Sequence, residues 1–180
     1  YTQNFPLKCG KGSAYEGGIR EPMIVRWPGT VQPGTRCNDY LIIEDFYPSI
    51  LEMAGIDDYD VPQEIDGISF VPLLKQTKNP SQGRSLYWNC PNIWGEKGPG
   101  IGPSCTIRKD NWKMIYFYET GEKELYDIPN DIEENNNVAA LYPQIINKLS
   151  KELGKFLRQT NGQRPSFKKT GKPCPWPDEI

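Results

Sequence analysis

Histidine is absent from this 180-residue sequence, and that single gap removes several chemistries. Ser–His and Cys–His nucleophile pairs, and a histidine general base, have no residue to build on. Catalysis within the chain would have to rest on Lys, Asp, Glu, Tyr or Cys. Cys-x-x-Cys pairs are also missing. The five cysteines, Cys9, Cys37, Cys90, Cys105 and Cys174, are widely spaced, so a structural zinc site is not expected. Their odd number leaves at least one thiol free or paired between molecules. Up to two disulfides are open in an oxidising compartment, with a connectivity that spacing does not fix. No apolar run approaches the length of a membrane span. An excess of basic residues is lacking too: the formal charge of −2 argues against nucleic acid as a partner, because neutralising phosphates needs clustered cations. Finally, the opening "YTQNFPL" holds neither a start methionine nor a signal peptide, so the chain reads as a piece of something longer.

What the sequence does hold is seventeen glycines and seventeen prolines, and so many loops. Four of the glycines crowd "LKCGKGSAYEGGIREP", Leu7 to Pro22, around Lys11. A P-loop would need Ser or Thr directly after that lysine, and Gly12 stands there. A dinucleotide fingerprint would need a third glycine where Tyr15 stands. Both readings fail. A lysine in a glycine-rich loop remains, and spacing alone makes it an exposed loop lysine. Glu16 and Arg20, four apart, could pair to brace the loop.

Downstream, "EPMIVRWP" (Glu21 to Pro28) reads as a short buried strand. "DFYPSILEMAG" has the punctuation of a helix, with Asp45 as N-cap rather than catalytic carboxylate, Pro48 in the first turn and Gly55 at C′. "SFVPLLK" reads as a helical turn. From about Ser81 the pattern changes. "SLYWN", "CTIRKD", "WKMIYFY" and "KELYDI" are aromatic and β-branched and are separated mostly by tight turns, which predicts an antiparallel meander. Between the first two lies a long Gly/Pro-rich loop. "YPQIINKLSKELGKFLRQT" carries Ile145, Ile146, Leu149, Leu153, Phe156 and Leu157 at helical spacing, which predicts an amphipathic helix over about Tyr142 to Thr160. The acidic run "NDIEENNN" lacks calcium-loop spacing and reads as a solvated turn. The expected fold is α+β: a small antiparallel sheet packed against a long C-terminal helix, preceded by a strand-plus-helix edge segment. Residues 161–180 read as an irregular tail.

These residues resemble a family. "LKCGKGSAYEGGIREPMIVRWPG" is similar to the stretch that follows the last metal-ligand motif in formylglycine-dependent sulfatases, near arylsulfatases and N-acetylgalactosamine sulfatases. "DFYPSILEMAGI", "DGISFVPLL" and "IRKDNWKMIYFYETGEKELYDIPNDIEENNNVA" follow in the family's order, and together they span Leu7 to about Leu157. The resemblance implies that residues 1–79 are the last part of an alkaline-phosphatase-like α/β catalytic domain and 80–160 its C-terminal subdomain. It implies that Lys11 contacts the sulfate group and stabilises the leaving oxygen. It also implies calcium and a formylglycine nucleophile in the parent enzyme. The resemblance places the family's calcium ligands upstream of this stretch, and no cysteine or serine here stands in the Cys/Ser-x-Pro motif that formylglycine formation needs, so the chain is expected to bind no metal itself and to be inert alone. Its partners would be a sulfate ester and a missing N-terminal half, and residues 1 to about 78, without that half, should expose apolar surface, pair with another chain or pack in a non-parental way. A periplasmic, secreted or lysosomal parent would suit the family. Two other readings stay open: a glycan- or protein-binding module using the aromatic loop from Trp88 to Trp94, and a fragment of a related phosphatase or phosphonate hydrolase.

Overall fold

The computed structural model describes residues 4–56, 58–93 and 98–180. Its elements are α1 (Glu16–Ile19), a 3₁₀ turn (Ile43–Asp45), α2 (Phe46–Met53), α3 (Val71–Leu74), β1 (Ser85–Cys90), β2 (Ser104–Lys109), β3 (Trp112–Phe117), β4 (Lys123–Asp127) and α4 (Pro143–Gln159). They fall into two compact units. One joins the described part of Tyr1–Glu21 to Ser85–Ile180; the other is Pro22–Arg84. The two units meet at Glu21/Pro22 and at Arg84/Ser85.

The first unit is the expected meander, with all four strands antiparallel in chain order. Tight turns set the register. Lys109 pairs with Trp112 across a two-residue hairpin whose Asp110 sits at φ +51°, a left-handed value that aspartate tolerates better than most residues. Gly121, at φ +75°, closes the next turn by donating to the Phe117 carbonyl. Strand alternation then sorts side chains onto two faces. Cys105, Ile107, Met114, Tyr116 and Leu125 turn to one face, where Leu149, Leu153 and Leu157 of α4 cover them. Each of those leucines is at most 2% exposed, and burying each contributes about 1.5–3 kcal/mol. The polar face of α4 is not idle: Glu152 accepts from Lys109 Nζ at 2.8 Å and from Ser85 Oγ at 2.5 Å, tying the helix to strands β1 and β2. Burial alone would disfavour the Glu152 charge, yet these donors outweigh it and hold the carboxyl below its ordinary range.

The tail after α4 is irregular but packed. Cys174 and Trp176 belong to the same core, and a Cβ on Gly154 would lie 2.0 Å from Asp178 Oδ1, so α4 must present glycine where the tail crosses. Arg158 Nη1 donates to that carboxylate at 3.0 Å. All five cysteines are unpaired.

The opposite sheet face was not expected to be covered, and it is. Ile115, Tyr126 and Ile128 pack with Tyr15, and Cys9 and Ala14 lie against them. The glycine-rich N-terminal segment thus forms a third layer of this unit.

The second unit corrects two expectations. Glu21 to Pro28 is not a strand: it joins no β-ladder among the described residues, its Trp27 carbonyl accepting only from Thr30 and Val31 in the following turn, and Ile24 is 95% exposed. Four apolar residues do not make a strand without a ladder to join. Asp45 is not the side-chain cap of α2 either. It lies in the 3₁₀ turn, fully buried, where its carboxylate accepts from the backbone N–H of Ile42 (3.0 Å) and of Ile68 (2.9 Å) and pairs with Arg84 at 2.8 Å. Ser49 Oγ donates to the Asp45 carbonyl and accepts from Phe70 N, which draws α2 and α3 together. Gly55, at φ +71°, does end α2 as expected. Asp45→Ala strands two N–H groups and a mostly buried guanidinium, so it is expected to destabilise this unit by roughly 3–5 kcal/mol. Loss of hydrogen-exchange protection confined to α2 and α3 would report it. Apolar side chains stay open here, Ile24, Ile43 and Ile50 among them.

Candidate functional site

Lys11 is the one site residue that the sequence offered, and the structure sets it at the corner of a tight turn. Ser13 N donates to the Gly10 carbonyl at 3.1 Å, closing the four residues Gly10 to Ser13. Gly12, third of the four, has φ +92°, the left-handed value that a type II turn requires there. The lysine is exposed. The flanking glycines serve close approach rather than flexibility. A Cβ on Gly18 would lie 2.1 Å from the Ser13 carbonyl oxygen and 2.8 Å from that of Gly10, the two ends of the turn. A Cβ on Gly17 would lie 2.3 Å from the Lys8 carbonyl oxygen. Helix α1 therefore sits directly beneath the Lys11 turn.

Beneath α1 lies a buried charge cluster. Lys113, on β3, is fully buried with its Nζ 3.0 Å from Glu16 Oε1 and 2.8 Å from Glu134 Oε1. Glu134 Oε2 accepts from the Glu16 backbone N–H at 2.6 Å. Arg108 Nη1 stands 3.8 Å from Glu16 Oε2. Two cations face two carboxylates, so charge is balanced out of water, the condition on which buried ions persist. Arg20, the partner expected for Glu16, is a rim contact at 3.5 Å. Burial pushes the Glu134 carboxyl above its ordinary range, against the pull of Lys113. Glu134 is thus an interior anchor with φ +52°, set in an acidic run that reads as a solvated turn.

On the other side of the turn, Lys8 Nζ lies 3.9 Å from the centre of the Tyr15 ring and donates to the Glu134 carbonyl at 2.9 Å. Tyr15 and Tyr126 both donate to Glu124 Oε2, at 2.8 and 2.9 Å. Burial, and then the bond to Glu124, raise the Tyr15 hydroxyl well above its ordinary value, so it stays a donor. The Ala14 N–H reaches the Gly100 carbonyl at 3.0 Å. Beside Tyr15 a groove of about 250 Å³ is lined by Gly100, Phe117, Glu119, Glu122 and Glu124. Its carboxylates would repel a sulfate ester, so it is not the place for one.

Among the described residues no three His, Cys, Asp or Glu side chains gather as metal ligands. The described residues thus offer no carboxylate cage for calcium. Trp94, half of the aromatic alternative, lies outside the described residues; Trp88 is in β1.

The family model for the C-terminal region of N-sulphoglucosamine sulphohydrolase matches residues 9–160, from the foot of the Lys11 turn to the end of α4. The chain belongs to this sulfatase family. A sulfatase of Formosa agariphila is 29% identical, over 98% of this chain and 34% of its own length. Human arylsulfatase K is 30% identical over 79% of this chain and 26% of itself. The N-acetylglucosamine-6-O-sulfatase of Bacteroides thetaiotaomicron is 31% identical over 83% and 26%. Among solved structures, Ps i-CgsB in complex with k-i-k-neocarrahexaose superposes with a TM-score of 0.73 at 30% identity, covering 92% of this chain and 34% of that one. The chain thus spans about a quarter to a third of the length of the relatives it matches. The family resemblance read from the sequence and the α+β fold stand.

Proposed function

We propose that this chain forms the C-terminal part of an enzyme that hydrolyses sulfate monoesters on carbohydrates, and that Lys11 is its contribution to the active site. The observation that carries this is the exposed cation at the corner of a turn whose supports are buried. A sulfatase relative and a solved neighbour with sugars in their names favour a carbohydrate ester. Cleaving the S–O bond loads negative charge on the departing oxygen, and a fixed cation beside it lowers the barrier. Lysine suits the task as a compact point charge on a mobile stem. The nucleophile, made as formylglycine, and the calcium that polarises the sulfate would come from the residues outside this chain, which would also give Glu21 to Pro28 a sheet to join. The chain alone would then be inert.

The test is sulfate release from a sulfated monosaccharide. The full-length enzyme is expected to turn it over, and the isolated 180-residue chain to release none. Turnover by the chain alone, or full-length preference for the matching phosphate ester, would overturn the reading.

A further inference from the structure

Both feet of the Lys11 turn stand on one residue, Glu134. On the N-terminal side, Lys8 Nζ donates to the Glu134 backbone carbonyl at 2.9 Å. On the C-terminal side, the Glu16 backbone N–H donates to Glu134 Oε2 at 2.6 Å. Lys113, fully buried, fixes the other oxygen of Glu134 and reaches the Glu16 carboxylate as well. A buried ionic group of this kind gives little net stability compared with apolar packing, but it does fix geometry. We infer that Glu134, held by Lys113, is the positioning residue for Lys11, setting where its ammonium stands relative to the sulfate ester.

The inference rests on Lys11 being the leaving-group cation. Glu134 and Lys113 touch no substrate; they act through the turn. A displaced cation fails most where the departing oxygen most needs it. Sugar alkoxides are poor leaving groups that need the charge, whereas nitrophenolate disperses its own. A merely structural defect lowers the active fraction and so depresses both substrates equally.

The experiment compares kcat of the full-length enzyme on a sugar sulfate and on 4-nitrophenyl sulfate for Glu134→Gln, Lys8→Met and Lys11→Ala. Glu134→Gln and Lys8→Met are expected to lose roughly tenfold or more on the sugar ester and under about threefold on the aryl ester, in the direction set by Lys11→Ala. Equal losses on both substrates, with Lys11→Ala still selective, would overturn the positioning role and leave Lys11 in place. An unselective Lys11→Ala would instead remove the reading beneath it. Should Glu134→Gln not fold, Lys8→Met, at the half-buried foot, decides alone.

Discussion

Lys113→Met is expected to destabilise the sheet unit by roughly 3–5 kcal/mol at neutral pH, because it leaves two buried carboxylates facing each other without their shared cation. Glu16 is 4% exposed and Glu134 0%, so water cannot replace the ammonium. Arg108, 3.8 Å from Glu16, supplies only part of the missing charge. The deficit should depend on pH, with a definite sign. Burial already raises the Glu134 carboxyl, and removing Lys113 takes away the main pull in the other direction. A carboxyl whose folded pKa lies above its unfolded value favours the folded state at low pH and loses that contribution as pH rises through the raised value. The gap between wild type and variant should therefore be widest near pH 7–8 and shrink towards the ordinary glutamate value, about 4.3. Urea midpoints across that range would measure it. A gap that grows on acidification would contradict the assignment of the cluster.

Gly18→Ala should be nearly as damaging, by another route. The added methyl would meet the Ser13 carbonyl oxygen at 2.1 Å, where ordinary contact begins at about 3.5 Å, so the turn must lift by an ångström or more. Backbone, unlike a flexible side chain, cannot swing aside. A misplacement of about 1 Å at a reacting centre lowers turnover roughly 100-fold. The full-length enzyme carrying Gly18→Ala is thus expected to lose about that factor in kcat, with KM changed much less. Activity close to wild type would show that the turn does not bear on the chemistry.

The meander, the covering helix and the glycine at the end of α2 were legible because each is a local pattern: alternation, helical spacing, a left-handed stop. The family assignment was legible for a different reason, four motifs in one order. What stayed hidden was long-range. Lys113 sits in "WKMIYF", where alternation marks it only as the residue opposite Met114's face, and nothing in that pattern says that face is buried. Glu134 lies among asparagines and acids that read as solvent-facing, although its left-handed backbone turns it inward. Glu16 keeps Arg20 at helical spacing as a rim contact but takes its buried partner in Lys113, 97 residues away. Asp45 offered a capping role and took Arg84. In each case a nearby weak partner was visible and a distant, desolvated one was chosen. Burial decided it, since an exposed pair contributes a few tenths of a kcal/mol and a broken buried one several. The strand expected over Glu21 to Pro28 failed because a short apolar run carries only a local preference, and no ladder among the described residues takes it in.

At the centre of the account is the charge on Lys11. The measurement that tests it is kcat for Lys11→Ala in the full-length enzyme on a sulfated sugar. A fall of roughly 100- to 1000-fold is predicted, as for the loss of one fixed donor at a developing oxyanion. A kcat within about twofold of wild type, in a folded enzyme, would contradict the account at its base.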